Sequence, residues 1–215
     1  MERLKVDTEG ISRAVKILRA GGLVAFPTDT VYGLGADAKS EAAVTRLARA
    51  KGRPEGKPFS LLVASVEMAR EIAIFDPRAE ILARAFWPGA LTLVLPLRCE
   101  AGITPRATAG RASIGLRLPD HPVSHALLQE FGAPIAAPSA NPSGSPSPLC
   151  ASDVANGLEG KISALLEAPP APKGLDSTVI DLTSQRPRLL RAGAIAADSI
   201  EAALSDLPGE SHPFQ

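Results

Sequence analysis

Residues 21–53 read GGLVAFPTDTVYGLGADAKSEAAVTRLARAKGR, and the reading of this stretch decides the fold class. Residues 23–26 form a short apolar run with glycines before it and a proline after it, the composition of a buried strand. The run feeds into Pro27-Thr28-Asp29-Thr30, and Gly33-Leu34-Gly35 then predicts a tight turn. Ser40 can cap a helix whose inner face carries Val44, Leu47 and Ala48. That helix ends at Lys51-Gly52-Arg53. A buried strand thus brings hydroxyl and carboxyl groups to its end while cations arrive nearby. Such an arrangement suits a small, negatively charged ligand at the carboxyl ends of strands. A second island, Ala137-Pro138-Ser139-Ala140-Asn141-Pro142-Ser143-Gly144, has the same character, and the two are expected to meet in space.

Working outward, Ile11, Ala14, Val15 and Leu18 recur at helical spacing, and Gly21-Gly22 stops that helix. Residues 59–64, 90–95, 113–118 and 133–137 read as strands. Ser65 opens a helix to about Ile74, Asp76-Pro77 opens another to about Trp87, and His121-Pro122 starts a third. Residues 138–148 are dense in proline, serine and glycine, and because they follow a buried strand they read as an ordered ligand loop. Residues 177–182 and 188–190 predict a hairpin with a turn near Ser184. A last helix covers about 197–204, and the tail is expected to fray from about 207. Strands alternating with helices give an α/β fold with a twisted, mixed, mostly parallel sheet flanked by helices, in one domain covering 1–215.

The chain has 215 residues, of which 45% are hydrophobic, enough for a sizeable core. Formal net charge is zero and the pI is about 6.8, which argues against a broad polyanion-binding face. Cys99 and Cys150 show no C-x-x-C spacing, so a reduced, cytoplasmic setting is expected. No secretory h-region, membrane-length apolar run or internal repeat is seen. His121 and His125 lie four apart, but no Glu or Cys completes a metal site locally, and both read as surface residues. No G-x-x-x-x-G-K-[ST] loop occurs, and Asp176-Ser177-Thr178 lacks a base for covalent hydrolysis.

Six segments, in order, resemble the YrdC/TsaC family of L-threonylcarbamoyladenylate synthases. These are PTDTVYGLG from Pro27, the Lys-x-Arg at 51 and 53, Gly115-Leu116-Arg117-Leu118-Pro119, the Ser-x-Asn at 139 and 141, Asp176-Ser177-Thr178-Val179-Ile180, and Leu190-Arg191-Ala192-Gly193-Ala194-Ile195. They span about 11–204. The resemblance implies the YrdC-like fold with a concave basic cleft. It implies synthesis of threonylcarbamoyl-AMP and pyrophosphate from L-threonine, bicarbonate or CO2, and ATP. The product would pass to separate machinery that modifies tRNA. Mg2+ would arrive with ATP, without dedicated protein ligands.

Residue by residue, the resemblance assigns ATP binding to Lys51, Arg53, Lys57, Ser113, Ser147 and Arg191, with Lys51 and Arg53 as charge stabilisers. It assigns threonine binding to Thr30, Arg117, Ser139 and Ser177, and site architecture to Asn141. Each assignment has a plainer counterpart. The KGRPEGK run can be a solvated helix end. Arg117, on an apolar strand, needs an anion, which can be substrate or a structural carboxylate such as Asp29 or Asp120. The serines and threonines can be backbone caps, Asn141 can stabilise a turn, and Arg191 can snorkel to solvent. Some relatives carry histidine where this chain has Leu62, so a contact to threonine would be lost. Others carry a second domain behind a long linker, which this chain is expected to lack. Two other readings are a non-catalytic RNA-binding module, with RNA bound weakly at the basic face, and a carbamoyl-transfer relative.

Overall fold

The computed structural model describes residues 1–171 and 174–205, so the tail expected from about 207 lies outside the described residues. The chain begins with β1 (Glu2–Lys5), α1 (Thr8–Arg19), β2 (Val24–Phe26), β3 (Gly33–Asp37), α2 (Glu41–Lys51), β4 (Ser60–Leu62) and α3 (Val66–Ile72). It continues with α4 (Pro77–Phe86), β5 (Leu91–Pro96), α5 (Pro105–Thr108), β6 (Ser113–Arg117), α6 (Pro122–Phe131) and β7 (Ile135–Ala136). It closes with α7 (Ala151–Leu158), β8 (Ala164–Glu167), β9 (Thr178–Asp181), β10 (Arg188–Arg191) and α8 (Ala197–Leu204). The expected helix starts are built as the sequence implies. Ser40, Ser65 and Asp76 accept from the backbone N–H groups of Ala43, Met68 and Ala79, with Pro77 in the first turn of α4.

The strands form one sheet in the order β1-β8-β2-β3-β7-β4-β6-β5-β9-β10. The expected mixed α/β architecture is present, but the expected parallel majority is not. β1/β8, β2/β8, β4/β6 and β5/β9 are parallel. β2/β3, β3/β7, β4/β7, β5/β6 and β9/β10 are antiparallel. The reason lies in the connections. β2 reaches β3 and β9 reaches β10 by short turns, and a short turn reverses the chain, whereas a parallel neighbour needs a long crossover.

Both faces of the sheet are buried. Ala25, Leu34, Leu61, Leu93 and Leu116 join one apolar cluster with Leu47 of α2 and Leu82 of α4. Val24, Phe26, Leu62 and Ile135 join another with Val15 and Leu18 of α1 and Leu127 and Leu128 of α6. Successive strand residues therefore feed opposite cores, which is why these strands read as continuous apolar runs.

Gly33-Leu34-Gly35, expected as a tight turn, is instead the start of β3, paired with β2. Of its two glycines, Gly35 answers to packing. A Cβ on Gly35 would lie 2.7 Å from Phe26 Cε1 and 2.8 Å from Ile135 Cγ2. The reversal of the chain occurs earlier, within Thr28–Val31, where Thr28 Oγ1 donates to the Val31 carbonyl at 2.7 Å. β1, β8, α5 and α7 had no clear signal. β1 is a mostly exposed, charged edge strand, and α7 contains Asn156-Gly157, a pair that favours turns.

The Gly35 packing gives a stability test. Gly35→Ala should lower unfolding free energy by about 1–3 kcal/mol, the usual range for overpacking a filled core, with no loss of cooperativity. Urea unfolding followed by far-UV circular dichroism measures it, and an unchanged midpoint would contradict the close-packing role.

Candidate active site

The floor of the site is one face of three neighbouring strands. Ser60 and Leu62 of β4 stand opposite Gly115 and Arg117 of β6, and Thr92 of β5 lies alongside. Gly115 keeps that floor flat, since a Cβ there would sit 3.0 Å from Ser60 Oγ and 3.3 Å from Thr92 Cγ2. The walls are the Thr28–Val31 turn, the start of loop 138–148, and Asp176, Ser177 and Arg191. Together they enclose a cleft of about 150 Å3, with Arg53 at its rim. Arg53 also borders an outer groove of about 310 Å3 with Lys57, Phe59 and Arg106.

Loop 138–148 is ordered, as expected, and the reason is a network of backbone bonds. Leu34 N donates to Pro138 O at 2.8 Å, Ala140 N to Tyr32 O at 2.8 Å, Tyr32 N to Pro148 O at 2.9 Å and Ser143 N to Lys51 O at 2.7 Å. The two sequence islands therefore do meet. Lys51 is the centre of that junction. Gly52, in the left-handed conformation, ends α2 and leaves Lys51 pointing inward, 4% exposed. Its Nζ donates to Ser139 O and Asn141 O at 2.5 Å each, and to Asn141 Oδ1 at 3.4 Å. An ammonium has three donors, so Lys51 is committed to the loop. In this structure those donors meet the loop, and Lys51 is absent from the residues that line the cleft. Asn141 Oδ1 accepts from Ser139 Oγ at 2.5 Å and its Nδ2 donates to Ser145 O at 2.6 Å, so its side chain ties the loop to itself.

Arg117 is buried at the end of β6. It pairs with Asp29, donates from Nε to Gly89 O at 2.9 Å and from Nη1 to Thr30 Oγ1 at 2.8 Å. Asp29 also accepts from the Asp120 N–H at 3.1 Å. Of the two structural carboxylates considered, Asp29 is the ion-pair partner. A guanidinium has five N–H donors, and Arg117 still lines the cleft. Burial lowers its pKa and the Asp29 charge opposes that shift.

The other expected residues divide by position. Thr30, Ser139 and Ser177 line the cleft with Arg117. Ser177 Oγ pairs with Thr92 Oγ1 at 2.8 Å and accepts from Arg191 Nη2 at 2.9 Å. Arg191 also donates from Nε to Ser177 O at 2.9 Å. The β9–β10 register shifts between Leu189 and Arg191, the kind of irregularity that can re-aim a side chain. With its side chain 47% exposed, Arg191 remains open to a ligand. Arg53 is anchored by Lys57 O at 3.3 Å and Pro58 O at 2.7 Å, and its guanidinium lies 4.6 Å from the Phe59 ring centre. Burial lowers its pKa. Lys57 lines the outer groove. Ser147 Oγ reaches the Asp176 carboxylate at 3.3 and 3.4 Å. Ser113 shares the strand face of Arg117 but starts β6, roughly 13 Å away along the strand, and it does not line the cleft around Arg117.

Ser60 and Thr92 line the cleft without having been expected there, and Thr28 and Asp176 line it as members of segments in which other residues were assigned. Single hydroxyls on strands give no sequence signal. Asp176 did have one, as the neighbour of Ser177. Among the described residues, no group of three His, Cys, Asp or Glu side chains is placed to hold a metal ion, and no helix is long and apolar enough to cross a membrane. His121 caps α6 by accepting from Val123 N at 3.2 Å.

Comparison with known proteins gives three kinds of finding. The family model Sua5/YciO/YrdC, described as telomere recombination, matches residues 16–193. The chain is 43% identical over 207 residues to a threonylcarbamoyl-AMP synthase of Bacillus subtilis, covering 96% of this chain and 60% of that protein. It is 40% identical over 202 residues to a putative threonylcarbamoyl-AMP synthase of Mycobacterium tuberculosis, covering 92% and 90%. The chain thus spans less than two thirds of the Bacillus relative. Among solved structures, Sua5 of P. abyssi complexed with L-threonine superposes with a TM-score of 0.90 at 40% identity, covering 100% of this chain and 65% of that one. E. coli YciO superposes with a TM-score of 0.80 at 27% identity, covering 89% and 94%.

Two predictions follow from the buried cations. Arg117→Ala removes one member of a buried ion pair and should cost about 3–5 kcal/mol of stability, read as a lowered melting temperature. An unchanged melt would show that the pair adds nothing to the fold. The second concerns Lys51, whose pKa burial lowers from the usual 10.5 to about 8, with the Arg53 charge adding and Asp176 opposing. From about pH 8 to 10.5 the unfolded chain therefore binds more protons, and stability gains with pH. Below about 8 the full burial cost is carried. The stability of the parent chain relative to Lys51→Met should rise across that window. Urea unfolding at pH 7.5, 8.5 and 9.5 tests this, and a flat difference would refute it.

Proposed function

We propose, for a chain that belongs to the Sua5/YciO/YrdC family, the function of an L-threonylcarbamoyladenylate synthase. The observation that carries the reading is the shared cleft. It sets Arg117, with hydroxyls from Thr30, Ser139 and Ser177, beside the partly exposed cations Arg53 and Arg191. One end suits an amino-acid carboxylate and the other suits phosphates. The amine of threonine first becomes a carbamate with bicarbonate or CO2. The carbamate oxygen then attacks the α-phosphorus of ATP, and pyrophosphate leaves. The chain contributes proximity and charge neutralisation.

In this reading Arg53, Lys57 and Arg191 contact the phosphates, and Ser113 and Ser147 border the nucleotide. Lys51 acts through the loop that it holds. Thr30, Arg117, Ser139 and Ser177 receive threonine, and Asn141 shapes the loop beneath. Leu62 gives the floor an apolar edge. Mg2+ enters as part of the nucleotide, held by phosphate oxygens and water, since among the described residues the polar wall of the cleft is mostly hydroxyls and guanidinium groups, with one carboxylate. The product serves separate tRNA-modifying machinery in the cytoplasm, and residues 1–215 act as one unit.

The test is pyrophosphate release. It should require ATP, bicarbonate and L-threonine together; equal release without threonine would rule out the reaction, and tight RNA binding without turnover would favour an RNA-binding module. Arg53→Ala, Lys57→Ala and Arg191→Ala should each weaken ATP binding by about 1.5–3 kcal/mol, with non-additive sums. Unchanged affinity in all three would mean that these cations are a solvated surface.

A further inference from the structure

Among the described residues lining the cleft, Asp176 is the one acid, and the phosphate and carboxylate subsites leave it without a task. A carboxylate beside a triphosphate is repulsive, so its presence needs a cationic partner from the ligand or the protein. The protein holds it loosely. Its Oδ2 lies 3.6 Å from Arg191 Nη1, and Ser147 Oγ approaches at 3.3 and 3.4 Å. With its side chain 34% exposed, it can turn toward a ligand.

The backbone of Asp176, by contrast, is firmly placed. Ala194 N donates to Asp176 O at 2.9 Å. A Cβ on Gly193 would lie 2.4 Å from Asp176 O and 2.5 Å from Ser177 C, so the two segments touch backbone to backbone. Asp176 also stands close to both guanidinium groups of the cleft. It pairs with Arg191 at 3.6 Å, its charge reaches Arg117, and Ser177 beside it bonds Thr92 and Arg191.

A free amino acid is a zwitterion. Its carboxylate asks for a cation, and its ammonium asks for an anion or carbonyl. We propose that Asp176 receives the ammonium group of the amino-acid substrate and so places the reacting nitrogen between Arg117 and the Arg53–Arg191 end. The assignment rests on the threonine reading of the cleft. It is a recognition role: the carboxylate selects a cationic nitrogen, where a hydroxyl of the same size would gain little.

The experiment measures equilibrium binding of L-threonine, and of 2,3-dihydroxybutyrate of matching configuration, in which hydroxyl replaces ammonium. Parent, Asp176→Asn and Asp176→Glu chains are compared, with MgATP titration and thermal melting alongside. Asp176→Asn should lose roughly tenfold or more for threonine, keep its affinity for the dihydroxy acid and for MgATP, and melt at the parent temperature. Asp176→Glu should recover part of the threonine affinity. Equal losses for threonine and the dihydroxy acid would overturn the assignment, as would a fall in MgATP affinity alone. A parent chain that binds threonine beside an Asp176→Asn variant that binds it equally well would overturn this assignment only. A parent chain with no affinity for threonine would overturn the synthase reading as well.

Discussion

A buried ammonium group sits where the two halves of the cleft meet, among the backbone bonds that join them. Lys51 arrives on α2, from the first glycine-rich island, and its donors close on the carbonyls of Ser139 and Asn141 in the second. Ser139 and Asn141 are 88 and 90 residues from it in sequence, so this contact ties distant chain to distant chain. Burying a charge is costly unless its hydrogen bonds are made, and the loop carbonyls make them. Loop 138–148 can then be rich in proline, serine and glycine and still be ordered.

The cations of the site separate by how much of their donor capacity the protein uses. Lys51 and Arg117 are buried and are largely engaged by the protein itself. Arg53 and Arg191 are anchored to backbone carbonyls yet reach the cleft. Anchoring removes rotamer freedom before a ligand arrives, so less ordering cost remains at binding. The buried pair is held mostly by the protein, and the partly exposed pair keeps more of its surface open to the cleft.

Much of this was legible in the chain because helix starts and apolar runs are local signals. Ser40, Ser65 and Asp76 each cap the helix that they announce. Arg117 was legible as a buried cation in need of an anion, and Asp29 was among the named candidates. The failures were long-range. Gly35 looks like turn chemistry locally, and only the faces of Phe26 and Ile135 show that it is a packing glycine. The bonds of Lys51 to the distant carbonyls of Ser139 and Asn141 also lay outside any local signal. Ser60 and Thr92 became site residues through strand order, which no short stretch of sequence contains.

An open sheet has two free margins, here β1 and β10. Each margin exposes unpaired backbone groups that another strand could join, the first step toward fibrous aggregation. This chain blunts both. β1 carries Glu2, Arg3 and Lys5 on its exposed positions, so an approaching copy meets charge before it meets backbone. β10 is short, is bracketed by Arg188 and Arg191, and is kinked by its bulge. The same irregularity that interrupts the β9–β10 ladder beside Arg191 therefore also discourages a further strand from joining the ten described.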